Sequence, residues 1–555
     1  MGEQRIVRRW PTWSALVGAV VFYCLSFTPS LLPRPWILQA AAGAITAFFG
    51  YGFGAFFGLV ADQCGLRPTP NVRRAGWWLL AVAGSGAVVT ITAWSVRWQG
   101  DVRRAVGLDP RISWWQWALV LPVAALLGTL LVLAARAVRL GTRTLRRILG
   151  RAVPGWAAAA GAAALTAVLV VGFVEGFLLR GLLGLAERGA ALTDRSTGPG
   201  IVRPELASLS GSPASHESWD SLGAKGRDFI GRAPTAAQIS AFTGRPAKDP
   251  VRAYVGLRSG AGTGLVDPAH VLQDRARRAV AELDRAGGFQ RKVLVVIGTT
   301  GSGWVNERIA QPPEYLYDGD SAEVAYQYSY LPSWISFLTE GEATEAGRAL
   351  YDAVHAHWAH LPAESRPRLL VAGESLGSYA TEQAFPGGVA QLAAETGGAL
   401  LVGPTPDNPL RETVTEQRAP GSPVWRPLYQ DGRTVRFAQR TSDFAVPDAP
   451  WPEPRAVYLQ NGSDPVVWWQ PALIWSRPAW LNGQRAYDVS PTMRWYPLVT
   501  FWQVTCDLAA SEAVPEGHGH RYGLMPAEAW ARIVPPEGWT PQDTERLVAY
   551  LREQS

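Results

Sequence analysis

The residues with chemistry in them begin at Ser375, in "RLLVAGESLGSYATEQA" (368–384), where Gly373 and Gly377 bracket the serine two positions away on each side. In a chain with Gly 57 such a pattern arises often by chance. Its context argues otherwise: an apolar run, "RLLVA", precedes it and a helical run of small residues, "LGSYATEQA", follows it. Strand, sharp turn and helix in that order present a serine hydroxyl as a nucleophile. The two glycines keep side chains out of the turn, so Ser375 can take strained backbone angles.

A serine hydroxyl is a poor nucleophile near neutral pH and needs a base, which an α/β-hydrolase fold supplies in the chain order Ser, acid, His. Two histidines follow Ser375, His518 and His520, both in "VPEGHGHRYG". His520 is the expected base, because "GHGH" then fits the Gly-x-Gly-His loop found at the end of the last strand in this fold, and His518 is the alternate. A metal site built on the His-x-His pair lacks any accompanying Cys, Asp or Glu cluster at ligand spacing. The acid belongs after a strand between nucleophile and base. Asp464 in "AVYLQNGSDPVVWW" meets that condition, with Asp443 in "RTSDFAVP" as the alternate and a turn-forming role as its competing reading. Two N–H donors must face the oxyanion: Leu376, just after the nucleophile, and Thr299 (alternate Thr300) in "VVIGTTGSGWV". That glycine-rich loop has neither the GKS/T ending nor the GxGxxG of a phosphate cradle. No cofactor and no metal are expected.

These residues need a sheet to hold them. "VRAYVGL" (251–257), "KVLVVIG" (292–298), "VAYQYSYL" (324–331), "RLLVAG" (368–373), "TVRFAQ" (434–439) and "AVYLQNG" (456–462) read as short strands, separated by helical stretches such as 267–287 and 342–360. The alternation predicts a mostly parallel sheet covered by helices on both faces. Upstream, 183–247 is rich in Ser, Gly and Pro and reads as a linker with short helices in "SWDSLGAKGRDFI" and "TAAQISAFTG". The expected domains are therefore 1–182, helical and transmembrane; 183–247, linker; and 248–555, an α/β-hydrolase domain.

The first 182 residues alternate apolar runs with arginine-bearing loops. A length rule of about 20 residues per span predicts about five, at 11–32, 37–61, 76–96, 114–136 and 156–179. The first reads as an uncleaved anchor, since no small-residue cleavage site follows it. Arg5, Arg8, Arg9, Arg67, Arg73, Arg74, Arg139, Arg143, Arg146, Arg147 and Arg151 fall on one side, which predicts a cytoplasmic N-terminus and an extracytoplasmic catalytic domain in a multi-pass membrane protein. Gly50, Gly54 and Gly58 make one smooth helix face, suited to packing within the chain or to a homo-oligomer. Glu175 is an intramembrane carboxylate, either a functional group or a partner of nearby Arg180. The net charge of +6 comes almost wholly from arginines scattered between apolar segments, which argues against nucleic acid as a partner. The three cysteines, Cys24, Cys64 and Cys506, form no disulfide or metal-binding pattern.

Taken as a set, the N-terminal apolar region, "GTTGSGWV", "GESLGS", "NGSDPVVWW" and "GHGHRYG" resemble a family of membrane-anchored α/β-hydrolase-fold proteins of high-GC Gram-positive bacteria, over nearly the whole chain. The resemblance implies a bacterial cell membrane, the fold and the Ser375, Asp464 and His520 triad. It does not imply a substrate. One departure is Ile297, where the wider superfamily has a histidine before the oxyanion-loop glycine, and it bears on the choice of oxyanion donor. The segment between Asp464 and His520 holds Trp468, Trp469, Trp475, Trp480, Trp495 and Trp502. It reads either as a cap suited to a lipid or acyl-ester substrate or as a surface packed on the spans. The expected function is a serine esterase, lipase or acyltransferase working on a lipid-like ester among membrane lipids. The rivals are a transporter or membrane scaffold with a non-catalytic hydrolase-like domain, and a serine peptidase.

Overall fold

The computed structural model describes residues 11–66, 68–173, 188–260, 268–330 and 340–554. Glu175 and Arg180, and with them Arg5, Arg8, Arg9 and Arg67, lie outside the described residues. The chain forms two compact units. One takes Met1–Leu182 together with Trp469–Pro515; the other takes Leu183–Trp468 and Glu516–Ser555.

In the first unit, α1 (Trp13–Leu25), α2 (Trp36–Gln63), α3 (Pro70–Ala105), α4 (Trp114–Leu149) and α5 (Gly155–Val171) follow the apolar runs. Three of them, α2, α3 and α4, are long and apolar enough to cross a membrane, where five spans were expected. The first expected span fails for a local reason. In "TPSLLPRP" the prolines at 29, 33 and 35 stop helical hydrogen bonding, and the 13 residues of α1 reach only about 20 Å at 1.5 Å per residue. α5 is 17 residues long as described. Large apolar side chains such as Phe56, Phe57, Val82, Leu126 and Val168 remain exposed on these helices, as a lipid-facing surface requires.

The glycine face of α2 meets α1 of the same chain. A Cβ on Gly50 would lie 2.3 Å from the Gly18 carbonyl oxygen, and one on Gly54 2.1 Å from that of Ser14. The intrachain reading describes what this face touches. Segment 469–515 packs here too. Its helix Val499–Leu508 lays Trp502 on Phe49 (6.0 Å between ring centroids) and places Asp507 against the α1–α2 connection. Asp507 Oδ2 accepts from the Leu31 and Leu32 amides (3.1 and 3.3 Å), and Oδ1 lies 3.7 Å from Arg34 Nε, with both side chains fully buried. Gln503 Nε2 donates to the Ser26 and Thr28 carbonyls at 3.1 and 2.8 Å. These bonds satisfy backbone groups left open where α1 ends and α2 has not begun. Trp469, Trp475, Trp480, Trp495 and Trp502 therefore belong to the first unit, and Trp468 stays with the other.

The second unit is built on seven strands, all parallel, in the order β1-β3-β2-β4-β5-β7-β6: β1 Val251–Val255, β2 Val293–Gly298, β3 Ser321–Tyr326, β4 Arg368–Glu374, β5 Gly398–Val402, β6 Val435–Ala438 and β7 Arg455–Leu459. Alternate side chains feed two cores. Leu294, Val296, Leu369 and Val371 face helices Pro268–Arg285 and Glu340–His360. Val293, Val295, Leu370 and Ala372 face helices Glu307–Leu316 and Met525–Ile533. Helices on both faces explain why the strands read as continuous apolar runs. The region expected to be a linker contributes to the second core through Leu222, Phe229, Ile230 and Ile239, and Leu209 bridges to Arg252 in β1.

Candidate active site

The serine turn is set by strand β4, its neighbours and the helix Leu376–Glu382. Ser375 stands at the N-cap of that helix with φ 55° and ψ −125°, a region that a residue other than glycine occupies at a cost of about 1–3 kcal/mol. The Ser375 amide donates to the Val402 carbonyl at 2.8 Å, carrying the β4–β5 ladder one residue past the strand. The glycines are required by contact. A Cβ on Gly373 would lie 2.3 Å from the Gly377 carbonyl oxygen, and one on Gly377 2.3 Å from that of Gly298. Gly298 and Gly373 are register partners on β2 and β4. Thus the end of β2 lies directly on the first turn of the serine helix, and Ser375 is the one residue of 371–380 that is not buried.

The loop after β2 is fixed from several sides. Thr299 Oγ1 donates to the Tyr326 carbonyl at 2.8 Å, Tyr254 Oη to the Gly303 carbonyl at 2.8 Å and the Ser329 amide to Gly301 at 2.9 Å. Thr300 Oγ1 pairs instead with Ser302 Oγ at 3.3 Å. With its hydroxyl committed to β3, Thr299 has its backbone amide as the group to offer a ligand. Leu376 opens the serine helix, where the first N–H groups have no intrahelical acceptor.

Asp464 follows β7, fully buried, and its carboxylate is filled by three donors. His520 Nδ1 lies 2.7 Å from Oδ2, Tyr522 Oη donates to the same oxygen at 2.7 Å, and the Val466 amide donates to Oδ1 at 2.8 Å. Burial, and after it the Asp464 charge, hold the Tyr522 phenol well above its ordinary value, so it remains a donor. The acid loop also carries the histidine loop. The Gly519 amide donates to Ser463 Oγ at 2.9 Å, and Asn461 Nδ2 donates to the Gly519 carbonyl at 2.8 Å. His520 was expected at the end of a last strand; among the described residues no strand precedes it after β7. These two bonds do that strand's work.

His520 and Ser375 border the same strand end. Gly403, the residue after the Val402 that receives the Ser375 amide, has φ 52°, and a Cβ there would lie 2.6 Å from His520 Cε1. The alternates go elsewhere. Asp443 is fully buried, accepts from the Gln439 and Arg440 amides at 3.0 Å each and pairs with the Arg426 guanidinium, which is the turn-forming role. His518 bridges to Arg521. Among the described residues no three His, Cys, Asp or Glu side chains gather as metal ligands.

Sequence reasoning missed Tyr522, Asn461, Ser463 and Gly403. Their one signal was proximity in sequence to the triad candidates. It also missed a buried brace under the serine helix. Glu382 accepts from Asn408 Nδ2 (2.6 Å), Tyr458 Oη (2.8 Å) and the Leu410 amide (2.7 Å), while Asn408 Nδ2 reaches Ser378 Oγ, which donates to the Ser375 carbonyl. Burial pushes the Glu382 carboxyl up to about 7 against these donors.

The model described as "Alpha/beta-hydrolase family" matches residues 251–547, and that described as "Alpha/beta-hydrolase family N-terminus" matches 27–234. No curated protein and no solved structure matches the chain. The chain belongs to this alpha/beta-hydrolase family.

Proposed function

We propose that this member of the alpha/beta-hydrolase family is a membrane-bound serine hydrolase that cleaves or transfers the acyl group of a lipid-like ester through Ser375, His520 and Asp464. The observation that carries the reading is the 2.7 Å bond from His520 Nδ1 to buried Asp464, made beside the strand end that holds strained Ser375. With its proton on Nδ1, the imidazole has Nε2 as acceptor. Ser375 Oγ attacks the ester carbonyl as Nε2 takes its proton, and Asp464 stabilises the imidazolium. The amides of Leu376 and Thr299 bind the oxyanion. Nε2–H then protonates the leaving alcohol, leaving an acyl-serine; water or a second alcohol, deprotonated by Nε2, releases the acyl group.

A lipid-like substrate is supported by the apolar helices of the same chain. The distribution of arginines supports a cytoplasmic N-terminus and a catalytic unit on the outer face. A fluorophosphonate probe tests the chemistry: wild type labels, Ser375→Ala does not, and equal labelling of both ends the reading. Retained labelling in His520→Ala with loss in His518→Ala reverses the base. A reporter fused after residue 555 gives an extracytoplasmic signal under this reading, and a cytoplasmic one refutes the orientation alone.

A further inference from the structure

The two amides assigned to the oxyanion come from different segments. Leu376 opens the serine helix, while Thr299 begins a loop that leaves β2 and ends at Asn306, the N-cap of helix Glu307–Leu316. Both donors must stand about 2.7–3.1 Å from one point to bind an oxyanion. The loop therefore has to be fixed against the serine turn beyond the end of the sheet. The bonds at Thr299, Gly301 and Gly303 do not do this, because they run to Tyr326, Ser329 and Tyr254, on the side of β2 away from β4.

Asn306 reaches the other way. Its Nδ2 donates to Glu374 Oε2 at 2.6 Å, and its Oδ1 accepts from the Arg308 amide at 2.9 Å. These partners fix the orientation of the Asn306 amide, since a carboxylate accepts and a backbone N–H donates. Glu374 is the last residue of β4 and directly precedes Ser375. Leu370 and Ala372 of the same strand enter the second core, so alternation turns Glu374 to that face too, toward helix Glu307–Leu316. An apolar side chain would suit packing there, whereas a buried carboxylate is costly unless paired. Core packing thus gives no reason for Glu374; a link to the loop does. The same link supports the turn. A strained residue such as Ser375 persists where its surroundings over-determine it, and Glu374 is held by β5 through its backbone and by Asn306 through its side chain.

We propose that Asn306 and Glu374 are a positioning pair that sets the spacing between the two halves of the oxyanion hole, an inference that rests on the Ser375 reading. Full-length variants are assayed on a short chromogenic ester. Asn306→Ser keeps a capping oxygen but is too short to reach Glu374. It should lower kcat about 10–50-fold with KM within about twofold, because oxyanion bonds tighten in the transition state. Glu374→Ala should match it. Glu374→Gln still accepts from Asn306 and should stay within about threefold of wild type. Asn306→Asp sets two carboxylates together and should be worse than Asn306→Ser, while Asn306→Asp/Glu374→Gln reverses the bond and should regain about tenfold over Asn306→Asp. Hydrogen exchange of the 299–306 amides should be about tenfold faster in Asn306→Ser than in wild type. An unchanged kcat in Asn306→Ser, a loss confined to KM, a double variant no better than Asn306→Asp, or unchanged loop exchange would each overturn the proposal. Failure of wild type to label with fluorophosphonate ends the catalytic reading instead, and loop exchange still decides whether the pair holds the loop.

Discussion

Asp443 and Asp464 follow adjacent parallel strands, β6 and β7, and both are completely buried. One is neutralised by a permanent cation, Arg426, and by two turn amides. The other is met by His520, Tyr522 and one amide. A carboxylate that must stabilise a transient imidazolium needs its charge uncommitted between turnovers, whereas one that closes a turn benefits from a fixed counter-charge. Under the proposed mechanism, partners and not burial separate the two carboxylates.

The comparison breaks most sharply by substitution of both acids. Asp464→Asn should lower kcat/KM on a chromogenic ester about 10⁴-fold, because an amide there holds the wrong imidazole tautomer. Asp443→Asn should leave kcat/KM within about threefold yet reduce unfolding free energy in urea by about 2–4 kcal/mol, since Arg426 loses its counter-charge. Matching activity losses in both variants would remove the distinction. A smaller effect sharpens it. Tyr522→Phe removes one donor from Asp464, leaving a more strongly negative partner for His520. The acid limb of the pH–rate profile should then move to higher pH, with kcat/KM near neutrality down about fivefold.

The smallest effect on activity is expected at Glu382. Because the fold raises this carboxyl to about 7 from 4.5, the folded chain holds more protons than the unfolded one between those values. Stability contributed at this site therefore falls as pH rises through that window and is level above it. In Glu382→Gln that slope disappears: the stability difference from wild type should change by about 2–3 kcal/mol between pH 4.5 and 8. A pH-independent difference would show that Glu382 titrates normally.

Much of the sheet was legible because its strands are short apolar runs separated by amphipathic helices. β5 was not: "GALLV" has one β-branched residue and follows a helical alanine run, so nothing local marks it as a strand. It is nonetheless the strand that links the Ser375 and His520 neighbourhoods. Segment 183–247 misled in the other direction, since a Ser, Gly and Pro composition hides the few apolar residues that enter the core. At the candidate site, residue type and chain order singled out Ser375, Asp464 and His520. The brace at Tyr522 and Glu382 was invisible because a tyrosine or glutamate side chain has no spacing that announces what it will touch.

The buried contact between Arg34 and Asp507 joins residues made far apart in time. At about 5–20 residues per second the ribosome needs roughly 24–95 seconds to travel from one to the other. Throughout that interval the α1–α2 connection lacks the carboxylate and glutamine that later satisfy its amides and carbonyls. All seven strands of the other unit have by then been synthesised. The α1–α2 connection, synthesised early, is thus among the last parts of its unit to be completed.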